Sequence, residues 1–424
     1  MEKRHKPKLH IDWIEPSAID IVKRLQDNGF ETYLVGGCVR DLLAGIHPKD
    51  YDIVTDARPE EVRRIIRGSY IIGRRFQLVL VKRGQHQFEV ATYRRNALPE
   101  ELQNEDTKYF TQDNFFGTPE EDARRRDFTI NALFYDPISH ELVDFVDGLR
   151  DIENGLIKMI GDTSTRITED PIRILRAIRI AHKLRFSLDP ELRYKSKEQA
   201  HELEKSLLPR KREEYLKFFK LPDPSLAFLE LYDLGILNHL IPGLSNLWSD
   251  PNILETSLIY LKRSKDIIKD PTQNTQVLLP LFLGLAESLN LDSIFEEQES
   301  DSDSETEAEA EGKSDEISLK PQNDENKPEK PINLPLAKIE KIFKDEMGVF
   351  KSEQTMLNLS YILQPRLELI SSFKKRGQRR QFGFLLKEEF PLALRIAEAD
   401  LRLGGKQIYF WQKQLDKAKK EKKN

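Results

Sequence analysis

The sequence predicts an α+β protein, with a small mixed-sheet head followed by an all-helical neck and body. Three observations carry that prediction. From Tyr33 to about Lys158, short β-rich runs alternate with helical patterns. After Gly161 the strand signal almost disappears. Between Glu296 and Lys330 the composition collapses to Ser, Asp, Glu and Ala, then Lys, Pro and Asn, which marks an insertion within the helical part.

Taken in order, residues 1–30 read as a basic arm leading into a helix, Ser17 to Asn28, that stops at Gly29. In the head, residues 31–160, the runs YLVGG, YDIVT, LVLVK, FEVATY, ALFYD and LVDFVD have strand composition. Pro59 to Arg67 reads as a helix with proline at its first position. The neck, residues 161–225, carries EDPIRILRAIRIAHKLRF from Glu169 to Phe186, where Asp170 before Pro171 signals a helix start. In that helix Leu175, Ile178, Ala181 and Leu184 form an apolar stripe. Arg173, Arg176, Arg179 and Lys183 recur every three or four residues beside it and form a basic one. The body, residues 226–424, keeps helical spacing to about Gln414 and ends in a lysine-rich tail, 413–424. Its insertion, 296–330, has too little apolar surface to order itself, so disorder is expected there.

A chain of 424 residues is long enough for two or three domains with proper cores. Its single cysteine, Cys38, excludes intrachain disulfides and Cys-based zinc clusters and suits a reducing cytoplasm. No apolar run approaches the ~20 residues of a membrane span, and MEKRHKPKLHIDW lacks the apolar core of a signal peptide. A cytoplasmic, monomeric protein without membrane association is therefore expected. The net charge of −5 hides a contrast: residues 296–316 hold eleven Asp or Glu and one Lys, a local −10, which leaves +5 elsewhere. Basic clusters at 74–75, 94–95, 124–126, 173–183, 209–212, 374–380 and 413–423 suit a polyanionic partner, although any one of them alone also reads as a solvated helix face.

The stretch YLVGGCVRDLLAGIHPKDYDIVT, Tyr33 to Thr55, concentrates the chemistry. On a strand Asp50 and Asp52 project from one face, roughly 6–7 Å apart. Two carboxylates aimed at one point repel each other unless a cation lies between them, and hard oxygen donors suit Mg²⁺. Gly36 and Gly37 lack a β-carbon, so phosphate oxygens can approach their backbone N–H groups. A phosphate cradle beside paired carboxylates is the minimum apparatus for phosphoryl or nucleotidyl transfer. Alone, a Gly-Gly pair is also an ordinary turn, and the remainder of a site must come from elsewhere. Glu89, in QFEVATY, fits a third acid on a neighbouring strand of a two-metal site, or an edge glutamate. RRRDFTINALFYD, Arg124 to Asp136, offers guanidiniums for triphosphate oxygens, with Asp127 to hold a ribose hydroxyl or orient an arginine and Asn131 to read either. Asp170 and Arg173, one turn apart, can present an acceptor and a fork of donors to a base edge.

Together LVGGCVRDLLAG, KDYDIVT, FEVATYR, EEDARRRDFTINALFYD and EDPIRILRAIRIAHKLRF, in that order, resemble the class II nucleotidyltransferases. That group comprises tRNA CCA-adding enzymes and bacterial poly(A) polymerases of the DNA polymerase β superfamily. The resemblance is close to continuous from Tyr33 to Phe186 and looser through PRKREEYLKFF and LELYDLGILNHLIPGL. It implies that Asp50 and Asp52 bind catalytic Mg²⁺ (Mn²⁺ as a substitute), with Asp127 among the active-site acids. It implies that Gly36, Gly37 and Arg40 hold the triphosphate and that Arg126 joins the nucleotide site. Asp170, Arg173 and Arg176, with Arg179 on the same stripe, would face the incoming base or its phosphates. Within the family, IIGRRFQLVLV, the C-terminal KKRGQRRQFGFLLKEEFPLALRIAEADLRL and the lysine tail resemble the poly(A) polymerase branch. That branch implies template-independent addition of AMP from ATP to RNA 3′ ends. The alternatives are a tRNA CCA-adding enzyme and, from another class, a catalytically inactive RNA-binding protein on the same scaffold. No His-Asp pair occurs among the eight histidines, so an appended phosphohydrolase domain is not expected. The insertion at 296–330 is a departure from the common pattern.

Overall fold

The computed structural model describes residues 2–73, 77–96, 115–292 and 334–423. The insertion, and Arg74 to Phe76 of the IIGRRFQLVLV segment, lie outside the described residues. Contacts divide the chain into two compact units, Met1–Glu202 and Leu203–Asn424, with the break at 202/203 rather than at 160 and 225. The first neck helices thus belong with the head, because their apolar stripe is buried in that unit.

The first unit is built on one mixed sheet. Its strands are β1 (Lys3–His5), β2 (Thr32–Val35), β3 (Asp52–Thr55), β4 (Ser69–Ile72), β5 (Leu78–Arg83), β6 (His86–Thr92), β7 (Leu133–Asp136) and β8 (Glu141–Asp144). Their order is β1-β8-β7-β2-β3-β6-β5-β4, antiparallel throughout except for the parallel pair β3–β6. Helices α1 (Pro16–Asp27), α2 (Gly37–Leu43), α3 (Pro59–Ile65), α4 (Pro119–Arg125) and α5 (Gly148–Glu153) accompany the sheet. In α1, Ala18, Ile21, Val22 and Leu25 are all buried, the i, i+3, i+4, i+7 face of an amphipathic helix. Tyr33, Val35, Val54, Tyr93, Phe134 and Val143 share one apolar cluster in the middle of the sheet. That cluster makes the strand ends rigid supports for whatever they carry.

Several expectations are corrected. The basic arm is partly a strand: β1 pairs antiparallel with β8, Lys3 opposite Asp144. Arg4 reaches Glu141 at 3.1 Å, and Lys3 pairs with Asp147. The strand in YLVGG stops at Val35, and Gly37 already opens α2. The strand expected from Tyr51 starts at Asp52, so Asp50 precedes it. The neck helix does not start at Asp170. A short α6 (Thr163–Glu169) comes first, Asp170 closes it, and α7 (Ile172–Leu184) follows. A two-stranded parallel pair, β9 (Leu156–Ile157) with β10 (Ser187–Leu188), was not anticipated. Strands of two residues leave no period to read.

In the second unit every described element is helical. Trp411 lies at the centre of an apolar cluster with Leu367, Phe373, Phe384, Phe390 and Leu415, and its indole N–H donates to the Leu367 carbonyl at 3.0 Å. The lysine tail is not a separate extension, since one helix runs from Gly405 to Lys423. Among the described residues no helix is long and apolar enough to cross a membrane.

Candidate active site

Val35 at the end of β2 is in register with Asp52 at the start of β3. Asp52 in turn lies beside Glu89 on β6. Around Asp52 burial alternates: Asp50 and Asp52 are exposed, while Tyr51 and Ile53 are buried. The two acids therefore share the open face even though only one is on the strand. Directly after β2 the chain turns through Gly36, whose φ of +77° falls in the region that favours glycine. A β-carbon at Gly36 would stand 3.4 Å from Arg126 Nη1 and 3.5 Å from Asp52 Oδ2. Gly36 thus forms one wall of a narrow space between a carboxylate and a guanidinium. At Gly37 the nearest group to such a carbon is Arg40 Nη2, 3.5 Å away.

The neighbouring acids bear on Asp52. Desolvation, then the charges of Glu89 and Asp50, raise the Asp52 carboxyl above its ordinary value, and the guanidiniums of Arg126 and Arg40 offset only part of the rise. Among the described residues no group of three or more His, Cys, Asp or Glu side chains forms a ready-made metal cage. The donor set nevertheless fits Mg²⁺, which keeps several waters and is typically held by one or two carboxylates plus substrate phosphates. A raised Asp52 pKa means that ionising this carboxylate works against folding. With divalent ions chelated, Asp52→Asn is therefore expected to raise the unfolding midpoint. Millimolar MgCl₂ is expected to raise the wild-type midpoint, by about 2–4 °C for each kcal/mol of stabilisation, and to leave the variant unmoved. Equal shifts in both proteins would remove Asp52 from the metal site.

Cys38 is buried, its thiol donates to the Val35 carbonyl at 3.2 Å, and burial pushes its pKa up to about 12. It is a packing residue, as expected, and not a nucleophile.

The remaining sequence-nominated residues form a connected network. Asp127 is buried; its Oδ1 accepts from the Phe128 N–H at 2.8 Å and from Asn131 Nδ2 at 2.9 Å. Its Oδ2 lies 2.7 Å from Arg176 Nη2 on α7. Asn131 Oδ1 accepts from Arg40 Nη1 at 2.8 Å. Arg40 also grips Asp41 at 2.6 and 3.0 Å, and Asp41 Oδ2 meets Lys183 Nζ at 2.6 Å. Two roles are open to Asp127, holding a ribose hydroxyl or orienting an arginine; its carboxylate contacts Arg176 and Asn131. Burial works to raise its pKa, but Arg176 and the hydrogen bonds from Asn131 and Phe128 outweigh that and hold it below the usual carboxylate range.

Arg126 is held by Asp122, 2.8 and 3.0 Å away, and lies over the Phe134 ring at 5.6 Å. Arg173 donates to the Arg166 carbonyl at 2.5 Å and to Glu169 at 3.1 Å. The Asp170 carboxylate accepts from the Ile172 N–H at 3.3 Å. Arg179 is half-buried on the same stripe. The structure thus joins Gly36, Asp52, Glu89, Arg126, Arg40, Asn131, Asp127 and Arg176 through contacts or register, with Arg173 and Asp170 at the start of α7.

Sequence reasoning passed over four supports: Asp41, Asp122, Arg166 and the pairing of Lys183. Asp122 was findable, because it lies three and four residues before Arg125 and Arg126, which is helical ion-pair spacing. Arg166, whose Nη2 holds both the Arg125 and Arg126 carbonyls at 2.7 Å, left no local signal.

Comparison with known proteins places the fold and the head domain. Residues 32–158 match the family model of the poly A polymerase head domain, and residues 185–247 match one described as a probable RNA and SrmB-binding site of polymerase A. The chain is 39% identical over 234 residues to poly(A) polymerase I of Haemophilus influenzae, covering 54% of this chain and 52% of that protein. It is 37% identical over 211 residues to the CCA-adding enzyme of Lactobacillus helveticus, covering 50% and 51%. The chain spans about half the length of the curated relatives it matches. The fold is that of the Bacillus stearothermophilus CCA-adding enzyme in complex with CTP, with a TM-score of 0.61 at 19% identity over 96% of this chain and 82% of that one. Residues 32–158, which carry the paired acids and the glycine turn, thus belong to the poly A polymerase head-domain family, and the chain is similar to poly(A) polymerase I and to the CCA-adding enzymes alike.

Proposed function

We propose that this protein is a template-independent polymerase that adds AMP from ATP to RNA 3′ ends. The observation that carries the reading is the placement of Asp52, in register with Glu89 and set against the Gly36 turn and Arg126, in a head that matches the poly A polymerase head domain. In the reaction, the RNA 3′-hydroxyl attacks the α-phosphorus in line, and the bond to pyrophosphate breaks. Asp50 and Asp52 would hold the divalent ions, with Glu89 as a further carboxylate. Bound there, such ions lower the hydroxyl's pKa and neutralise charge on the leaving pyrophosphate. The chain's own groups do the positioning. Gly36 and Gly37 admit phosphate oxygens to the backbone, Arg126 and Arg40 supply guanidiniums, and Asp127 orients Arg176 and Asn131. Asp170 just before α7, with Arg173, Arg176 and Arg179 along it, would face the base or its phosphates. Basic clusters would hold the RNA backbone without reading sequence, so binding should weaken steeply with salt.

A CCA-adding activity on tRNA is the second reading, favoured by the Lactobacillus helveticus relative. The two part in one assay. A generic RNA and a tRNA lacking its end are each incubated with ATP or with CTP in Mg²⁺. Long A-tails without use of CTP are expected; addition that stops after C, C and A would overturn the reading. No turnover in either Mg²⁺ or Mn²⁺ would leave the inactive RNA-binding scaffold.

A further inference from the structure

Two of the ion pairs that tie helix α7 to the rest of its unit lie on one face. Arg176 meets Asp127 at 2.7 Å, and Lys183 meets Asp41 at 2.6 Å. Seven residues, about 10.5 Å, separate the two cations along the axis, and at 100° per residue they point within about 20° of each other. The two acids are themselves joined through Arg40 and Asn131. The result is a closed ring: Lys183, Asp41, Arg40, Asn131, Asp127, Arg176 and back along α7. Asp41 and Asp127 are both buried, while Lys183 and Arg176 keep 35% and 41% of their side chains exposed, so each pair joins a buried acid to a partly solvated cation.

The roll of α7 about its own axis is set at its N-terminal end by Arg173, which donates to the Arg166 carbonyl at 2.5 Å and to Glu169 at 3.1 Å, and toward its far end by Lys183 on Asp41. The other faces of α7 bury Ile174, Leu175, Ile178 and Ile180, whose close packing limits large rotations, and the ion pairs add a directional constraint to it. The β9–β10 pair tethers the chain after α7, but it follows the left-handed turn at Arg185 (φ +60°) and holds position rather than roll. The residues assigned to the base, Asp170 and Arg173, lie at the opposite end of the helix from Lys183. A side-chain head about 6 Å from the axis moves about 1 Å for each 10° of roll.

We propose that Asp41 and Lys183 form a positioning pair that fixes the roll of α7, and with it which base the Asp170–Arg173 end accepts. The pair touches no substrate. It acts by coupling the cradle helix α2 to the base-facing helix, and the inference rests on the transferase reading above.

The test uses the full chain and two readouts, the ATP-to-CTP ratio of equilibrium nucleotide affinities and the same ratio for kcat/KM. Lys183→Met keeps the length of the side chain and removes its charge; Asp41→Asn breaks the pair from the other side; Lys183→Arg restores it. Thermal unfolding reports whether each variant is folded. Both ratios are expected to fall about tenfold in Lys183→Met and Asp41→Asn, since a 1 Å misplacement can cost up to about 10²-fold, and to recover in Lys183→Arg. Unchanged ratios in folded variants, with only a lower unfolding midpoint, would overturn the proposal and leave a merely structural pair. The affinity ratio does not require turnover, so a wild type that selects ATP but transfers nothing would sink the polymerase reading without touching this inference. A wild type that binds neither nucleotide would sink both.

Discussion

Replacing Asp52 with alanine is expected to lower AMP transfer by about a thousandfold or more while RNA binding survives. The effect is large because this one carboxylate has three neighbours whose roles depend on it. It faces Glu89 across the parallel β3–β6 pair, approaches the Gly36 turn and opposes Arg126. Removing a single preorganised electrostatic group at a reacting centre costs about 10²–10³ in kcat, and loss of a metal-holding carboxylate belongs at or beyond the upper end. On the proposed reading RNA is held by basic surfaces outside this face, so a gel-shift titration should give similar affinities for variant and wild type. A variant that extends RNA at near the wild-type rate would show that the metal assignment is wrong.

The second large effect concerns folding. Asp122 is almost completely buried on α4, accepts from the Arg94 backbone N–H at 3.1 Å and holds Arg125 and Arg126. Asp122→Ala leaves two guanidiniums and a backbone donor without that partner, a change that costs about 3–5 kcal/mol and should lower the unfolding midpoint by roughly 10 °C. Glu120, exposed on the same helix and paired with Arg124 at 2.7 Å, is the control whose replacement should leave the midpoint unmoved. The acid limb of stability has the same origin. Burial works to raise the Asp122 carboxyl, but Arg126 and Arg125 outweigh it, and Asp127 is likewise held low. A carboxyl whose folded pKa is depressed stabilises the protein above its unfolded value, about 3.9. That stabilisation disappears as pH falls below about 3.9 toward the depressed folded values. Urea titrations at descending pH should show wild-type stability falling in this window and a flatter curve for Asp122→Ala. Parallel curves would mean that Asp122 is not held low.

The parts that local pattern decides were legible in the chain. Strand composition placed β3, β5, β6 and β7 within a residue or two, because a two-residue period is a property of adjacent side chains. The glycine pair, the acids at 50 and 52 and the cation stripe at 173, 176, 179 and 183 are likewise statements about spacing along one element. The same logic misjudged ends. It extended a strand through Gly36 and Gly37 and started α7 at Asp170, because capping depends on where the chain turns in space.

The sequence by itself determined which side chains the proposed chemistry draws on: two carboxylates close to a glycine turn, and a helix with its cations on one side. Only the tertiary structure decided what those groups do to one another. Lys183 lies 142 residues from Asp41, and Asn131 lies 91 from Arg40, yet each pair closes within hydrogen-bonding distance. The physical reason is the difference in range between the two kinds of information. Periodicity and side-chain type are fixed by neighbours in the chain, whereas the partner of a buried charge is fixed by which strands and helices the common core brings together.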